Sequence, residues 1–278
     1  MATPILDKES LIPGKTSKLV LHAPEIAAKA RPGHFIILRT HDKGERIPLT
    51  IADADPERGT IIIVYLVLGK STAVLEGMAA GDEISDVCGP LGRPTHIEKG
   101  GTVICVGGGT GIAAMHHIAK GHVRVGNRVV GAIGARSKNL LLFEKELTSF
   151  ADEILISTDD GSYGRKGLVT ELLREKLEQD GSVFEVVAVG PVPMMEAVAQ
   201  TTRPFGVRTT VSLNPIMVDG IGMCGACRVS VGGQTKFACV DGPEFDGHLV
   251  DFDELKRRLA AYRAQEQISF ELYGKAQQ

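Results

Sequence analysis

A chain of 278 residues has the length of roughly two domains, and its 43% hydrophobic and 23% charged content is that of an ordinary globular protein able to bury real cores. A formal charge of −3 without a basic block argues against nucleic acid, no stretch reads as a lipid-binding amphipathic face, and no apolar run is long enough to span a bilayer. Five cysteines without a secretory signal predict a reducing, cytoplasmic setting, and 33 glycines with no tryptophan predict tight turns and close backbone approach to ligands.

From the N-terminus to about Thr95, short aliphatic and β-branched runs at 18–22, 34–38, 47–51, 60–68 and 83–87 are divided by turn residues. That spacing predicts a small all-β unit, an antiparallel barrel over residues 1–97. Arg46-Ile47-Pro48-Leu49-Thr50 places an arginine and a hydroxyl on one strand. Gly69-Lys70-Ser71-Thr72 opens the helix-like run 73–78, so converging N–H groups and a positive dipole end can receive a pyrophosphate. Arg46 can neutralise the same phosphates by a bidentate contact. The same four residues also fit an ordinary N-capped turn. Gly89-Pro90-Leu91-Gly92-Arg93 closes the section.

Thr102 to Val106 is a buried-strand run followed by Gly107-Gly108-Gly109-Thr110-Gly111 and a helical stretch from Ile112 to Ala119. Strand, Gly-rich turn and helix make the first unit of a nucleotide-binding α/β domain, although the run departs from G-x-G-x-x-G. Strands are then expected at 128–133, 153–157, 184–189 and 208–213, alternating with helices at 140–150, 168–177 and 194–202. This rhythm predicts a doubly wound parallel sheet over residues 98–215. Ligands on such sheets sit at the carboxyl ends of the strands. Those ends carry Gly108, Gly109, Thr110 and Gly111, then Arg136, then Asp159 and Asp160, then Gly190 and Pro191. Arg136 with Ser137 can accept a 2′-phosphate, and Asp159 and Asp160 are either ribose contacts or solvated turn residues. His116 and His117 read as packing or surface residues, and Cys88 and Cys105 as small core residues.

The segment 216–278 carries the remaining three cysteines. Cys224 and Cys227 form a C-x-x-C pair among glycines, and Cys239 follows a polar, hairpin-like stretch. The spacing resembles the plant-type [2Fe-2S] run, with Asp219 standing five residues before Cys224 where the first cysteine belongs. A carboxylate can ligate iron, so Asp219, Cys224, Cys227 and Cys239 read as a ligand set of three cysteines and one aspartate. A C-x-x-C pair by itself is more often zinc or a redox disulfide; for zinc, His248 is the nearby residue able to complete a usual set. Beyond the cysteines, 253–262 suits a short amphipathic helix, with Leu255, Leu259 and Tyr262 on one face, and the tail from Tyr273 is expected to be polar and frayed.

These pieces in this order resemble the ferredoxin-NADP reductase superfamily. Within it they are similar to the electron-transfer subunits of class B dihydroorotate dehydrogenase and, more closely, to the small subunits of NADH-dependent reduced ferredoxin:NADP oxidoreductases, or sulfide dehydrogenases. The resemblance covers nearly the whole length, and it is the combination of motifs that is specific. It implies that Arg46, Pro48, Leu49, Thr50 and Leu66 line an FAD, that Gly69 to Thr72 hold its pyrophosphate, and that Gly108 to Gly111 face NAD(H). The Ser or Tyr that plant reductases place next to the flavin is replaced by Pro48 and Leu49, which makes Thr50 the hydroxyl nearest the ring. Asp219 separates the chain from the dihydroorotate dehydrogenase subunits, which carry cysteine there. The implied function is electron transfer among NAD(H), FAD and a [2Fe-2S] cluster, onward to a larger iron–sulfur flavoprotein subunit. No residue set resembles a nucleophile or an acid/base pair for substrate chemistry. The rival readings are a free-standing ferredoxin-type reductase and a non-catalytic docking protein.

Overall fold

In the computed structural model, which describes residues 2–276, the first half of the chain curls into a nearly closed antiparallel sheet. Its strands are β1 (Thr3–Ile12), β2 (Thr16–His22), β3 (Phe35–Arg39), β4 (Ile47–Asp55), β5 (Thr60–Leu66), β6 (Glu83–Ile84) and β7 (Asp86–Leu91), in the order β6-β1-β2-β5-β4-β3-β7. Two helices interrupt them, α1 (Pro24–Ala27) after β2 and α2 (Lys70–Glu76) after β5. Alternate positions of the strands close the barrel core, with Leu19, Leu21, Ile36, Leu38, Ile61, Ile63 and Tyr65 all buried. Strand β1 has no counterpart in the sequence-based strands, because its polar, irregularly alternating residues carry little period-two signal. It exists through pairing with β2, in a register broken by two irregularities.

The second half builds a parallel sheet from β8 (Thr102–Gly108), β9 (Arg128–Ala135), β10 (Glu153–Thr158), β11 (Arg165–Lys166), β12 (Val183–Val189) and β13 (Arg208–Ser212). Its helices are α3 (Gly111–Arg124), α4 (Glu144–Thr148), α5 (Val169–Gln179) and α6 (Val192–Thr202). The order β11-β10-β9-β8-β12-β13 reverses direction between β8 and β12, so the topological switch point lies where the Gly-rich turn leaves β8. The helix expected at 140–150 is shorter: Phe143 takes a left-handed backbone (φ 59°), and only Glu144–Thr148 is α-helical.

The C-terminal part adds the hairpin β14 (Arg228–Val231) and β15 (Gln234–Phe237), then α7 (Ala238–Asp241), β16 (Glu244–Asp246), α8 (Phe252–Leu259) and α9 (Arg263–Ala276). Strand β16 pairs antiparallel with β13 and stitches this segment to the nucleotide sheet. One core runs through all three parts: Phe35 and Ile37 of the barrel, Ile104 and Val211 of the sheet, and Cys227, Val229, Ala238, Cys239 and Phe252. The frayed tail expected from Tyr273 is helical as far as Ala276, while Gln277 and Gln278 lie outside the described residues. Helix α9 buries no residue fully and packs on α2, which supplies what its weak apolar pattern does not. None of the helices described is long and apolar enough to cross a membrane.

Candidate functional site: a shared cleft and a cysteine loop

The barrel docks on the nucleotide sheet through α3. Lys120 Nζ meets Asp53 Oδ2 of β4 at 2.5 Å, and the Nδ1–H of His117 donates to the Ile51 carbonyl at 3.1 Å. Burial holds the His117 pKa below its usual value, so this contact is made by a neutral imidazole. With the two parts held this way, a cleft of about 670 Å³ opens between them. Its floor is the carboxyl edge of the sheet, with Gly108, Gly109, Thr110, Arg136, Asp159, Pro191 and Met194, and its far wall is Ile12, Lys15, Thr16, Leu66 and Leu68 of the barrel.

The switch point closes only because glycine stands there. A Cβ on Gly111 would lie 2.5 Å from the Val189 carbonyl oxygen, and one on Gly190 would lie 3.0 Å from that of Gly108. Strand ends β8 and β12 thus touch backbone to backbone, leaving the N–H groups of the turn open to a ligand. Of the two aspartates after β10, Asp159 lines the cleft, whereas Asp160 accepts the Ser162 N–H at 2.9 Å within its own loop. Of the pair, only Asp159 is therefore placed to meet a ligand in the cleft. Arg136 reaches the cleft and forms no ion pair among the described residues. Lys15 and Thr16 carried no sequence signal, because only tertiary docking brings their hairpin to the nucleotide sheet.

On the barrel, Pro48, Leu49 and Thr50 of β4 pair with Ile37, Ile36 and Phe35 of β3 and are half-buried, with Arg46 exposed just ahead of them. The Gly69 turn is fixed by Thr72, whose Oγ1 accepts the N–H of Leu68 at 3.0 Å and of Gly69 at 3.1 Å. Ser71 Oγ donates to the Glu45 carboxylate. Both hydroxyls expected to hold phosphate are thus occupied locally, and what the turn offers an anion is its first backbone N–H groups, Lys70 and Arg46. Helix α2 is anchored from its far end, where Tyr65 donates to Glu76 Oε2 at 2.7 Å and Lys8 Nζ to Met78 O at 2.9 Å.

The four residues read as cluster ligands stand as two pairs. The Cys224 N–H donates to Asp219 Oδ2 at 2.8 Å, and the sulfurs of Cys227 and Cys239 are 3.2 Å apart. The Cys239 thiol is pushed up to about 12 by burial and by the facing Cys227 sulfur. Backbone N–H groups of Ala226 and Cys239 point at the Cys224 and Cys227 sulfurs, each at 3.5 Å. Among the described residues no three His, Cys, Asp or Glu side chains converge on a point that would hold a single metal ion. A dinuclear cluster asks for something else: it would need two protein donors for each iron, and Cys227 with Cys239 across the hairpin would serve as one pair, Asp219 with Cys224 as the other, with N–H groups aimed at the sulfurs. His248, the histidine that could complete a usual zinc set, is engaged elsewhere, its Nε2 hydrogen-bonded to Thr202 Oγ1 at 2.9 Å. Gly220 and Gly222 turn the loop in the left-handed region (φ 75° and 83°) that side chains disfavour.

Comparison with known proteins bears on each part. Residues 214–251 match the iron-sulfur cluster binding domain of dihydroorotate dehydrogenase B, and residues 105–200 the oxidoreductase NAD-binding domain. A dihydroorotate dehydrogenase B electron transfer subunit homolog of Thermotoga maritima is 52% identical over 92% of this chain and 90% of its own length. The electron transfer subunit of Geobacillus thermodenitrificans is 35% identical over 85% of this chain and 93% of its own. A solved structure of an NADH-dependent reduced ferredoxin-NADP oxidoreductase, reported for flavin-based electron bifurcation, superposes with a TM-score of 0.92 at 48% identity over 98% of both chains. The chain belongs to the family of the dihydroorotate dehydrogenase B electron-transfer subunits and their homologues, NAD-linked oxidoreductase subunits that use FAD and an iron–sulfur cluster.

Proposed function

We propose that this chain passes electrons between NAD(H), FAD and a [2Fe-2S] cluster and hands them to a larger iron–sulfur flavoprotein subunit, in a ferredoxin-linked, bifurcating NAD/NADP oxidoreduction. The observation that carries the reading is the shared cleft, in which the Leu66–Leu68 edge of the barrel faces the Gly108–Thr110 turn of the nucleotide sheet. FAD, when bound, supplies the exchange between two-electron hydride chemistry and one-electron cluster chemistry. Arg46, Lys70 and the N–H groups after Gly69 bind its pyrophosphate. Pro48 gives the ring an apolar contact and Thr50, on the same face of β4, offers it a hydroxyl, while Leu49 between them packs toward the barrel core and backs the site. The turn of Gly108, Gly109, Thr110 and Gly111 receives the nicotinamide dinucleotide, with Gly190 and Pro191 closing from β12, Asp159 on the ribose side and Arg136 beside it. Asp219, Cys224, Cys227 and Cys239 hold the cluster. Thiols kept reduced for that purpose suit a cytoplasmic setting.

Anaerobic NADH should bleach the flavin of the loaded chain and bring up the EPR signal of a reduced [2Fe-2S] cluster. A chain that binds FAD but is bleached by neither NADH nor NADPH would leave only a docking role. In the same preparation Arg46→Ala with Lys70→Ala should shed FAD during gel filtration, and full retention would put the flavin elsewhere. Asp219→Cys should keep a [2Fe-2S] spectrum with a shifted midpoint, whereas an Asp219→Ala chain with unchanged spectrum and midpoint would remove the carboxylate from the ligand set.

A further inference from the structure

Behind the loop that carries Cys224 and Cys227, two guanidinium groups close on adjacent backbone carbonyls. Arg228 Nη1 donates to Gly225 O at 2.6 Å, and Arg258 Nη2 donates to Ala226 O at 3.0 Å. Gly225 and Ala226 are the whole spacer between the two cysteines. Neither arginine forms an ion pair among the described residues. A third arginine behaves differently: Arg93 Nε donates to Val240 O at 3.1 Å, next to Cys239, but its charge is answered by Asp241 at 3.6 Å. Arg93 ties the barrel to the loop and leaves no net cation there.

The two uncompensated arginines also differ in setting. Arg228 is exposed, whereas Arg258 is half-buried on α8, and its Nε is buried without a hydrogen-bond partner. Helix α8 lies past the 214–251 stretch that matches the cluster-binding family, so this cation reaches the loop from outside the matched segment. A carbonyl on a surface loop needs no arginine, because water satisfies it as well. What a fixed guanidinium adds is charge.

We infer that Arg258 is a positioning residue that raises the reduction potential of the cluster, with Arg228 as a weaker and salt-screened second; this rests on the ligand set of Asp219, Cys224, Cys227 and Cys239. Reduction adds one negative charge to the cluster, and a cation held behind its ligand loop favours the more negative state. The effect is larger where water is excluded, at Arg258, and is screened within about 10 Å at ordinary ionic strength where it is not, at Arg228. Second-shell donors to ligand loops are established levers on iron–sulfur potentials.

The test is an anaerobic redox titration of the full-length, FAD-loaded chain followed by EPR. Arg258→Met should disfavour the reduced cluster at least tenfold, a drop of about 59 mV for one electron. Arg258→Lys, which keeps the charge and loses the fork, should stay near the parent midpoint. Arg228→Met should give a smaller drop that disappears in molar salt. An intact signal with unchanged midpoint in Arg258→Met overturns the inference, as do equal shifts in Arg258→Met and Arg258→Lys, which would assign the effect to geometry. If Arg258→Met loads no cluster, Arg258→Gln and Arg228→Met decide, and failure of all three to load assigns the arginines to assembly and overturns the electrostatic role. Absence of any [2Fe-2S] signal from the parent chain would instead sink the ligand set itself.

Discussion

Glu244 sits where the three parts of the chain meet. Thr95 Oγ1, on the link between barrel and nucleotide sheet, donates to its Oε1 at 2.7 Å, and Gly33 of the barrel comes so close that a Cβ there would lie 3.0 Å from the same oxygen. Burial is the main cause that lifts its carboxyl from 4.5 to about 7; the Thr95 hydrogen bond opposes the rise and Glu185 adds to it. The folded chain therefore binds an extra proton between about pH 4.5 and pH 7, so stability falls as pH rises through that window and stays lowered above it. Glu244→Gln keeps an acceptor for Thr95 and removes the charge, and should stabilise the chain at pH 8 by about 1–2 kcal/mol while changing little at pH 4. Thermal melts at the two pH values check this, and an equal gain at both would mean that ionisation is not the cause. Asp219, by contrast, is singled out by sequence position alone, and the structure sets its carboxylate against the Cys224 N–H. Thr72 and Ser71 were legible as residues but not in what they do, because a hydroxyl's partner is chosen by the local turn and by Glu45 across the loop.

At the scale of elements, the β8–α3 turn is the part on which the proposed nucleotide site rests. Gly111 is excluded from bearing a side chain by backbone atoms of Val189 and Gly190, which cannot swing aside as a flexible side chain would. Gly111→Ala should cost about 1–3 kcal/mol of stability by overpacking and weaken NADH binding more than tenfold, read by thermal melting and by titration of nucleotide. Melting and affinity like those of the parent chain would show that the two strand ends can part without loss. The alternation of strands and helices from Thr102 to Ser212 was legible because each buried strand is a continuous apolar run. Strand β1 and helix α9 were not, since each is polar and marginal alone and takes its form from a neighbour, β2 for one and α2 for the other.

For the molecule as a whole, the two cysteines outside the proposed ligand set, Cys88 and Cys105, are single and separate, so the proposed electron path ends at the cysteine loop. The loop has the surface that a hand-over needs. Cys224 is exposed, and Val218, Ile221 and Met223 project apolar side chains beside it, Met223 being 81% exposed. An apolar group of this kind next to a redox centre suits an interface, for which about 1,600 Å² is the standard size and an obligate one is larger. Met223→Asp should weaken the heteromer seen by native mass spectrometry at least tenfold while reduction of artificial dyes by NADH continues unchanged. An undisturbed heteromer would place the partner on another face. A parent chain that stays monomeric yet turns over ferredoxin fully would make it a free-standing reductase.

The linear order of residues was enough to settle the barrel followed by a parallel sheet and then a cysteine loop, because period-two and continuous apolar runs and turn glycines are local signals read within a few residues. It was enough, too, to single out Asp219 beside three cysteines, since their spacing is read along one short stretch of chain. Tertiary structure decided what depends on parts distant in sequence. It turned Lys15, Thr16 and Leu68 into one wall of the cleft, put Asp159 but not Asp160 there, sank Cys227 and Cys239 into a core shared with the barrel, and carried Arg258 to a carbonyl 32 positions away. The physical reason is that burial and charge act through space, so their partners are fixed only once the sheet, the barrel and α8 have packed.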